Sequence, residues 1–194
     1  MRIVIGIDES YTKTGLALIV DKVVVKSKSI SFANCKTKTD KRNCIRRILP
    51  KIIEDALGRK SQPTDKVLII CERIRTFSGS YGLRPAYLIS TGALIATIVD
   101  VAAEYNINVY SVDTAAWKTQ IVGSSKGEKK QVLITRGPNK GKYKEVTDNK
   151  RKTLEWVKNK LGIDCKGDDD RADSICIGLY GFVRKSKRNL KKEE

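Results

Sequence analysis

The sequence predicts an α/β domain: a mixed five-stranded sheet flanked by helices. Three observations predict it. The first thirty or so residues hold three β-rich runs in succession, joined by short links. Beyond residue 40, apolar runs of strand length alternate with helical patterns, so the order becomes βββαβαβα. The chain has 194 residues, the length of one domain able to bury its own core.

Each element follows from its residues. Positions 3–7 are β-branched and nearly all apolar, as in a central strand buried on both faces. Positions 15–20 follow after a polar turn, and 23–30 end in alternating Lys and Ser, the mark of a more exposed strand. The link Asp21-Lys22 is two residues long, which predicts an antiparallel hairpin. From 40 to 57, apolar residues fall at 45, 48, 49, 52, 53, 56 and 57, with charges on the other face. That is a helix, closed by Gly58 and followed by Pro63 in a loop. Residues 67–71 form a short buried strand. A polar, Gly-rich loop at 76–84 leads to Pro85, a favoured first helical residue, and 85–105 reads as a long, mostly buried helix. A strand at 109–112 and a short helix at 114–121 follow. Runs at 131–136 and 142–147, around Gly137-Pro138-Asn139-Lys140-Gly141, predict a basic β-hairpin. Helices are expected at 149–161, closed by Gly162, and at 170–184. Residues 1–184 are expected to be a single domain with a basic hairpin inserted at 133–149, and 185–194 a charged tail.

Charge and composition narrow the function. Lys and Arg number 39 against 22 Asp and Glu, a formal net charge of +17, and there is no histidine. The charge points to a polyanion, nucleic acid first and an anionic membrane surface second. Without histidine there is no Ser-His-Asp triad, no Cys-His pair and no histidine zinc site. Catalysis would rest on carboxylates, Lys, Tyr, Cys, Ser or a metal. The five cysteines contain no C-x-x-C and read as reduced thiols, with Cys71 and Cys176 inside apolar runs. No secretory signal is visible. The longest uncharged stretch, 85–99, is 15 residues, short of the roughly 20 needed to span a bilayer. A cytoplasmic protein is expected, with no membrane partner.

Four carboxylates sit at the ends of elements. Asp8 ends the first strand, Glu72 ends the fourth, and Asp170 and Asp173 open the last helix. In this topology the first and fourth strands can be neighbours, which sets Asp8 beside Glu72. Asp170 and Asp173, three apart, share a helix face. Taken singly, each is also an ordinary N-cap or solvated acid. Taken together in so basic a chain, four converging carboxylates are most simply reconciled by divalent cations. Oxygen ligands favour Mg²⁺ or Mn²⁺ over zinc. Two such ions about 3.5–4 Å apart would clamp the attacking and leaving oxygens in phosphodiester hydrolysis. Asp168 and Asp169 suit capping of the same helix, although either could also serve as a ligand.

These residues carry a resemblance. Gly6-Ile7-Asp8, Glu72 after an apolar strand, and Asp170-Arg171-Ala172-Asp173 resemble the catalytic tetrad of RuvC-type Holliday-junction resolvases, enzymes of the ribonuclease H-like fold. Trp117-Lys118-Thr119-Gln120-Ile121-Val122-Gly123 resembles the family's lysine-centred segment. Gly127-Glu128-Lys129-Lys130-Gln131-Val132 resembles a second segment with a functional lysine. The ordered set spans residues 1 to about 184. It implies a homodimeric, Mg²⁺-dependent endonuclease, with two ions per active site and Mn²⁺ able to substitute. Such an enzyme nicks strands of like polarity in pairs at a four-way DNA junction, leaving 5′-phosphate and 3′-hydroxyl ends. A twofold dimer suits that substrate. Carried over, Asp8, Glu72, Asp170 and Asp173 would be metal ligands. Lys118 would stabilise the transition state at the scissile phosphate, and Lys129, or alternatively Lys130, would contact phosphate.

Two departures stand out. The family places a junction-contacting aromatic three residues after the strand-end Glu, where this chain has Arg75, which could itself stack on or pair with DNA. Phe77, two residues on, is the candidate for stacking on DNA. The stretch 133–149 looks inserted, and its basic character suggests an added DNA-contacting arm, the alternative being a solvated hairpin. It lies in a segment, 124–160, holding twelve Lys/Arg against four Asp/Glu. Rival readings are another nuclease of the same fold acting on RNA–DNA hybrid or RNA, a sugar-kinase or actin-like ATPase, and a DNA-binding protein without catalysis. The ATPase needs two such domains and a glycine-rich adenosine loop, which this sequence lacks.

Overall fold

The computed structural model describes residues 1–10, 12–60, 62, 65–73, 85–124, 128–133, 135, 139–148 and 150–183. Arg75, Phe77 and the tail 185–194 lie outside the described residues. Five strands form the main sheet: β1 (Arg2–Glu9), β2 (Lys13–Val20), β3 (Val23–Ser31), β4 (Lys66–Glu72) and β5 (Asn108–Val112). Their order is β3-β2-β1-β4-β5. β1 and β3 run antiparallel to β2, whereas β4 lies parallel to both β1 and β5. This is the mixed α/β sheet that the sequence predicts.

The helices are α1 (Lys38–Gly58), α2 (Pro85–Glu104), α3 (Thr114–Trp117), α4 (Arg151–Leu161) and α5 (Asp169–Val183). Between α3 and Gly123 runs a π-helical turn, π1 (Lys118–Val122). Two further strands, β6 (Glu128–Leu133) and β7 (Tyr143–Asp148), form a separate antiparallel pair.

Local chemistry explains the boundaries. Asp21 and Lys22 both take positive φ, 45° and 70°, the backbone of a two-residue hairpin turn whose twist matches the strands. The Asp21 carboxylate accepts from Arg2 N at 2.8 Å and ties the turn to the start of β1. At the start of α1, Thr37 Oγ1 accepts from Asp40 N at 3.1 Å and Asp40 Oδ2 accepts from Thr37 N at 2.8 Å. This reciprocal box satisfies two otherwise orphaned donors. The predicted helix at 114–121 continues as π1 and stops at Gly123, φ 86°.

The sheet separates two halves of one core. On one face, Ile3, Ile5, Ile7, Ile69 and Cys71 pack with α1 and α2. On the other, Val4, Ala17, Ile19, Ile70 and Val112 pack with Trp117, Val157 and the apolar side of α5. Period-two alternation along β1 and β4 sends odd and even positions of β1 to opposite layers. Cys71, Cys165 and Cys176 are buried free thiols. Among the described residues no helix is long and apolar enough to cross a membrane.

The basic hairpin differs in register from expectation. Its first strand is 128–133 rather than 131–136, and its second 143–148 rather than 142–147. In a two-stranded ribbon, cross-strand pairing sets the ends. Glu128 pairs with Asp148 and Lys129 with Thr147, and no apolar alternation marks those positions in the sequence.

Candidate active site

The site begins at the C-terminal edge of the parallel strands. Ile7 of β1 pairs with Cys71 of β4, and one residue further along come Asp8 and Glu72. Val4, Leu68, Ile70 and Val112 point into the α5 layer. By the same alternation Asp8 and Glu72 emerge on the α5 side. Glu9 lies on the opposite side, where it raises the Cys71 thiol after burial has done most of the work.

Glu72 is fixed in place. Trp117 Nε1 donates to its Oε2 at 3.0 Å, and the Thr114 hydroxyl donates to its Oε1. Trp117 is fully buried, so its ring is anchored in the core while its one polar atom holds the carboxylate. The two donors come from α3, which follows β5 directly.

α5 brings the remaining carboxylates close, and glycine permits the approach. A Cβ at Gly15, the residue paired with Asp8, would overlap the Asp170 carbonyl oxygen and lie 2.5 Å from its carbonyl carbon. A Cβ at Gly6 would strike Ser174 O and lie 2.5 Å from Gly178 N. The first turns of α5 therefore rest on the bare backbone of β1 and β2, which brings Asp170 and Asp173 near enough to Asp8 for their charges to act on it.

The consequences are electrostatic. Burial, then the charges of Asp173, Glu72, Glu9 and Asp170, push the Asp8 carboxyl well above the usual range. Burial pushes Asp173 up to about 6, partly offset by the Lys118 ammonium, whose Nζ is 3.8 Å from Asp173 Oδ2. Both side chains are largely covered, at 12 % and 16 % exposure. Burial also raises Asp170, against the pull of Lys13. Lys13 Nζ bridges Asp170 Oδ2 at 3.0 Å and Asp168 Oδ1 at 2.7 Å. Lys150 pairs with Asp169.

Among the described residues one acidic trio has its oxygens close enough to share an ion as it stands, and the sequence-predicted tetrad, which is more widely spaced, is weighed beside it. The oxygens of Asp168, Asp169 and Asp170 lie within 4.8 Å of one another. Asp168, however, is already committed. Its Oδ1 accepts from Lys13 and, at 3.1 Å, from Arg171 N, and its Oδ2 accepts from Ser29. Burial alone would raise its pKa, but these donors hold it below the usual value. Asp168 is thus the N-cap of α5, as capping chemistry predicts. The grouping of Asp8, Glu72, Asp173 and Asp170 differs. It concentrates like charge in a covered place, and Asp173 Oδ1 is buried with no hydrogen-bond partner among the described residues. An all-carboxylate donor set with an unfilled buried oxygen fits a hard divalent cation.

Of the sequence-predicted residues, the structure brings together Asp8, Glu72, Asp170, Asp173 and Lys118. Lys129 and Lys130 stand on β6. Sequence reasoning assigned no role to Lys13, Thr114 or Trp117. Trp117 lay within the recognised Trp-Lys segment, yet its contact with Glu72 spans 45 positions. Lys13 meets Asp168 across 155 positions, and no local pattern signals such a pair.

No protein-family model matches the sequence, and no curated protein is significantly similar to it. Solved structures do match. Thermus thermophilus RuvC in complex with Holliday junction substrate superposes with a TM-score of 0.64 at 15% identity, covering 91% of this chain and 90% of that one. A second structure of Thermus thermophilus RuvC gives 0.62 at 15% identity, covering 93% of this chain and 96% of that one. At that identity the likeness is one of architecture, and it runs nearly end to end in both chains: the protein has the RuvC form of the ribonuclease H-like fold.

Proposed function

We propose that the protein is a structure-specific DNA endonuclease that resolves four-way junctions by paired phosphodiester hydrolysis. The observation that carries this reading is the convergence of Asp8, Glu72, Asp170 and Asp173 at one sheet edge of a chain with net charge +17. Acids there would repel DNA phosphates unless cations intervene. Asp8, Glu72, Asp173 and Asp170 would hold two Mg²⁺ ions, with Mn²⁺ able to substitute. When bound, such ions activate a water and neutralise the leaving oxygen. The chain's own residues do the rest. Thr114 and Trp117 orient Glu72. Lys118, nearly covered beside Asp173, offers its ammonium to the scissile phosphate, and Lys129 or Lys130 contacts the backbone. The products would carry 5′-phosphate and 3′-hydroxyl ends. Two sites acting on symmetric strands call for a homodimer. α2 leaves Ile89 63% and Val99 45% exposed, an apolar surface on which a second copy could sit. Reduced thiols fit a cytoplasmic location.

The test is a synthetic four-way junction incubated with and without Mg²⁺, with products mapped at nucleotide resolution. Symmetric paired nicks that need Mg²⁺ are expected, from a protein that sediments as a dimer. Cleavage of RNA–DNA hybrid with junctions left intact would sink the resolvase reading.

Proton and metal should compete at the site. Asp173 titrates near 6 when folded against an ordinary value of 3.8, so the folded state binds the extra proton between those values. Raising pH through that window must therefore lower the stability of the metal-free protein. The loss from this group is on the order of 2–3 kcal/mol at most, and Asp8 acts in the same direction. Thermal unfolding from pH 5 to 7.5 should show Tm falling without metal. Mg²⁺ should raise Tm, and by more at the higher pH. A Mg²⁺ effect independent of pH would place the ion elsewhere.

A further inference from the structure

We propose that the β6–β7 hairpin is a DNA-contacting arm that grips duplex flanking the carboxylate cluster through Lys140, Lys142 and Tyr143 at its tip. This rests on the DNA-nuclease reading above. Along the chain, the hairpin is flanked on both sides by residues of the site. β6 follows π1, whose Lys118 faces Asp173, and β7 returns to Lys150, which pairs with Asp169. Among the described residues its strands hydrogen-bond to each other and form a sheet separate from the main one. A lone two-stranded hairpin is marginal in water, so this one gains most from a partner that covers it.

The tip is built for a polyanion. Lys142 N donates to Asn139 O at 3.1 Å, closing a turn in which Gly141 takes φ 87°. Lys140 and Lys142 project from that turn, both exposed. Tyr143, 68% exposed, pairs across the ribbon with Leu133, 46% exposed. Positions 134–144 hold four Lys/Arg and no Asp or Glu. A basic surface beside an exposed aromatic suits nucleic acid. The same lysines disfavour a basic partner surface at this tip. Six residues of strand span about 20 Å, or about six base pairs of B-DNA, so the tip reaches duplex beyond the cut site.

The experiment compares Lys140→Ala/Lys142→Ala and Tyr143→Ala with Lys38→Ala/Lys51→Ala, a matched charge control on α1 across the sheet. Binding to a four-way junction is measured in EDTA over a salt series, and cleavage at saturating protein in Mg²⁺. The tip double variant should bind about tenfold more weakly at 0.1 M salt, with a log–log salt slope reduced by about 1.8. The control should lose less than half of that. Tyr143→Ala should weaken binding severalfold with its slope unchanged. All should unfold at the wild-type temperature and cut within about threefold of wild type when saturated. A tip double variant indistinguishable from the control overturns the arm and leaves the nuclease reading standing. A shift in sedimentation with an unchanged salt slope also overturns it, in favour of a protein contact. A wild-type protein that binds no DNA overturns both.

Discussion

Asp8→Asn is expected to abolish strand cleavage, leave junction binding intact and raise the stability of the metal-free protein. The amide is nearly isosteric with the carboxylate, so packing is unchanged. What changes is charge. The Asp8 carboxyl is pushed up by burial and by Asp173, Glu72, Glu9 and Asp170, which means its ionised form opposes folding at neutral pH. Removing that charge should stabilise the metal-free protein and raise its Tm. The same change removes a central anionic donor for divalent cations. Metal electrostatics contribute several kcal/mol to such transition states, so cleavage should drop at least about 10³-fold. Stability up and activity gone is a signature that misfolding cannot produce. The checks are thermal unfolding in EDTA, a binding isotherm on a four-way junction, and single-turnover cleavage in Mg²⁺. Cleavage within tenfold of wild type would falsify the placement of the active centre at Asp8.

Gly15→Ala is expected to be the most damaging single-methyl change in the described fold. The obstacle is backbone: the new Cβ would fall on the Asp170 carbonyl, and no rotamer can relieve it. Overpacking of ordinary cores costs about 1–3 kcal/mol; here α5 must lift off β1 and β2, so about 3 kcal/mol or more is expected, a Tm drop of about 6–12 °C. Because Asp170 and Asp173 ride on α5, protein that still folds should cleave at least about 100-fold more slowly. Gly6→Ala should behave alike, against Ser174 O and Gly178 N. Gly58→Ala is the control: a Cβ there meets nothing within 4 Å, so neutrality or a gain of up to about 1 kcal/mol is expected. Equal Tm values for Gly15→Ala and Gly58→Ala would contradict the close approach of α5.

Much of the fold was legible because burial writes a period into the chain. The runs at 3–7 and 67–71 read as buried strands, and they are β1 and β4, side by side. The two-residue link at Asp21-Lys22 allowed one connection, and it is the tight turn observed. The β6 boundary is not legible in the sequence because backbone pairing by itself leaves no hydrophobic trace. The roles of Asp168 and Asp169 stayed open for a different reason. Capping and ligation use the same side chain, and only the positions of Lys13, Ser29 and Lys150 distinguish them.

By itself the sequence determined the order of elements, the excess of positive charge, the absence of histidine and the carboxylates at element ends, because each is written in local composition and spacing. The tertiary structure decided which of those carboxylates meet. Partners such as Lys13 with Asp170, or Trp117 with Glu72, are set by the angle and closeness of α5 and α3 on the sheet. That closeness depends on Gly6 and Gly15 lacking a side chain beneath one particular helix. A glycine in a strand announces that some backbone can come near, but only the folded chain shows that the backbone is that of Asp170.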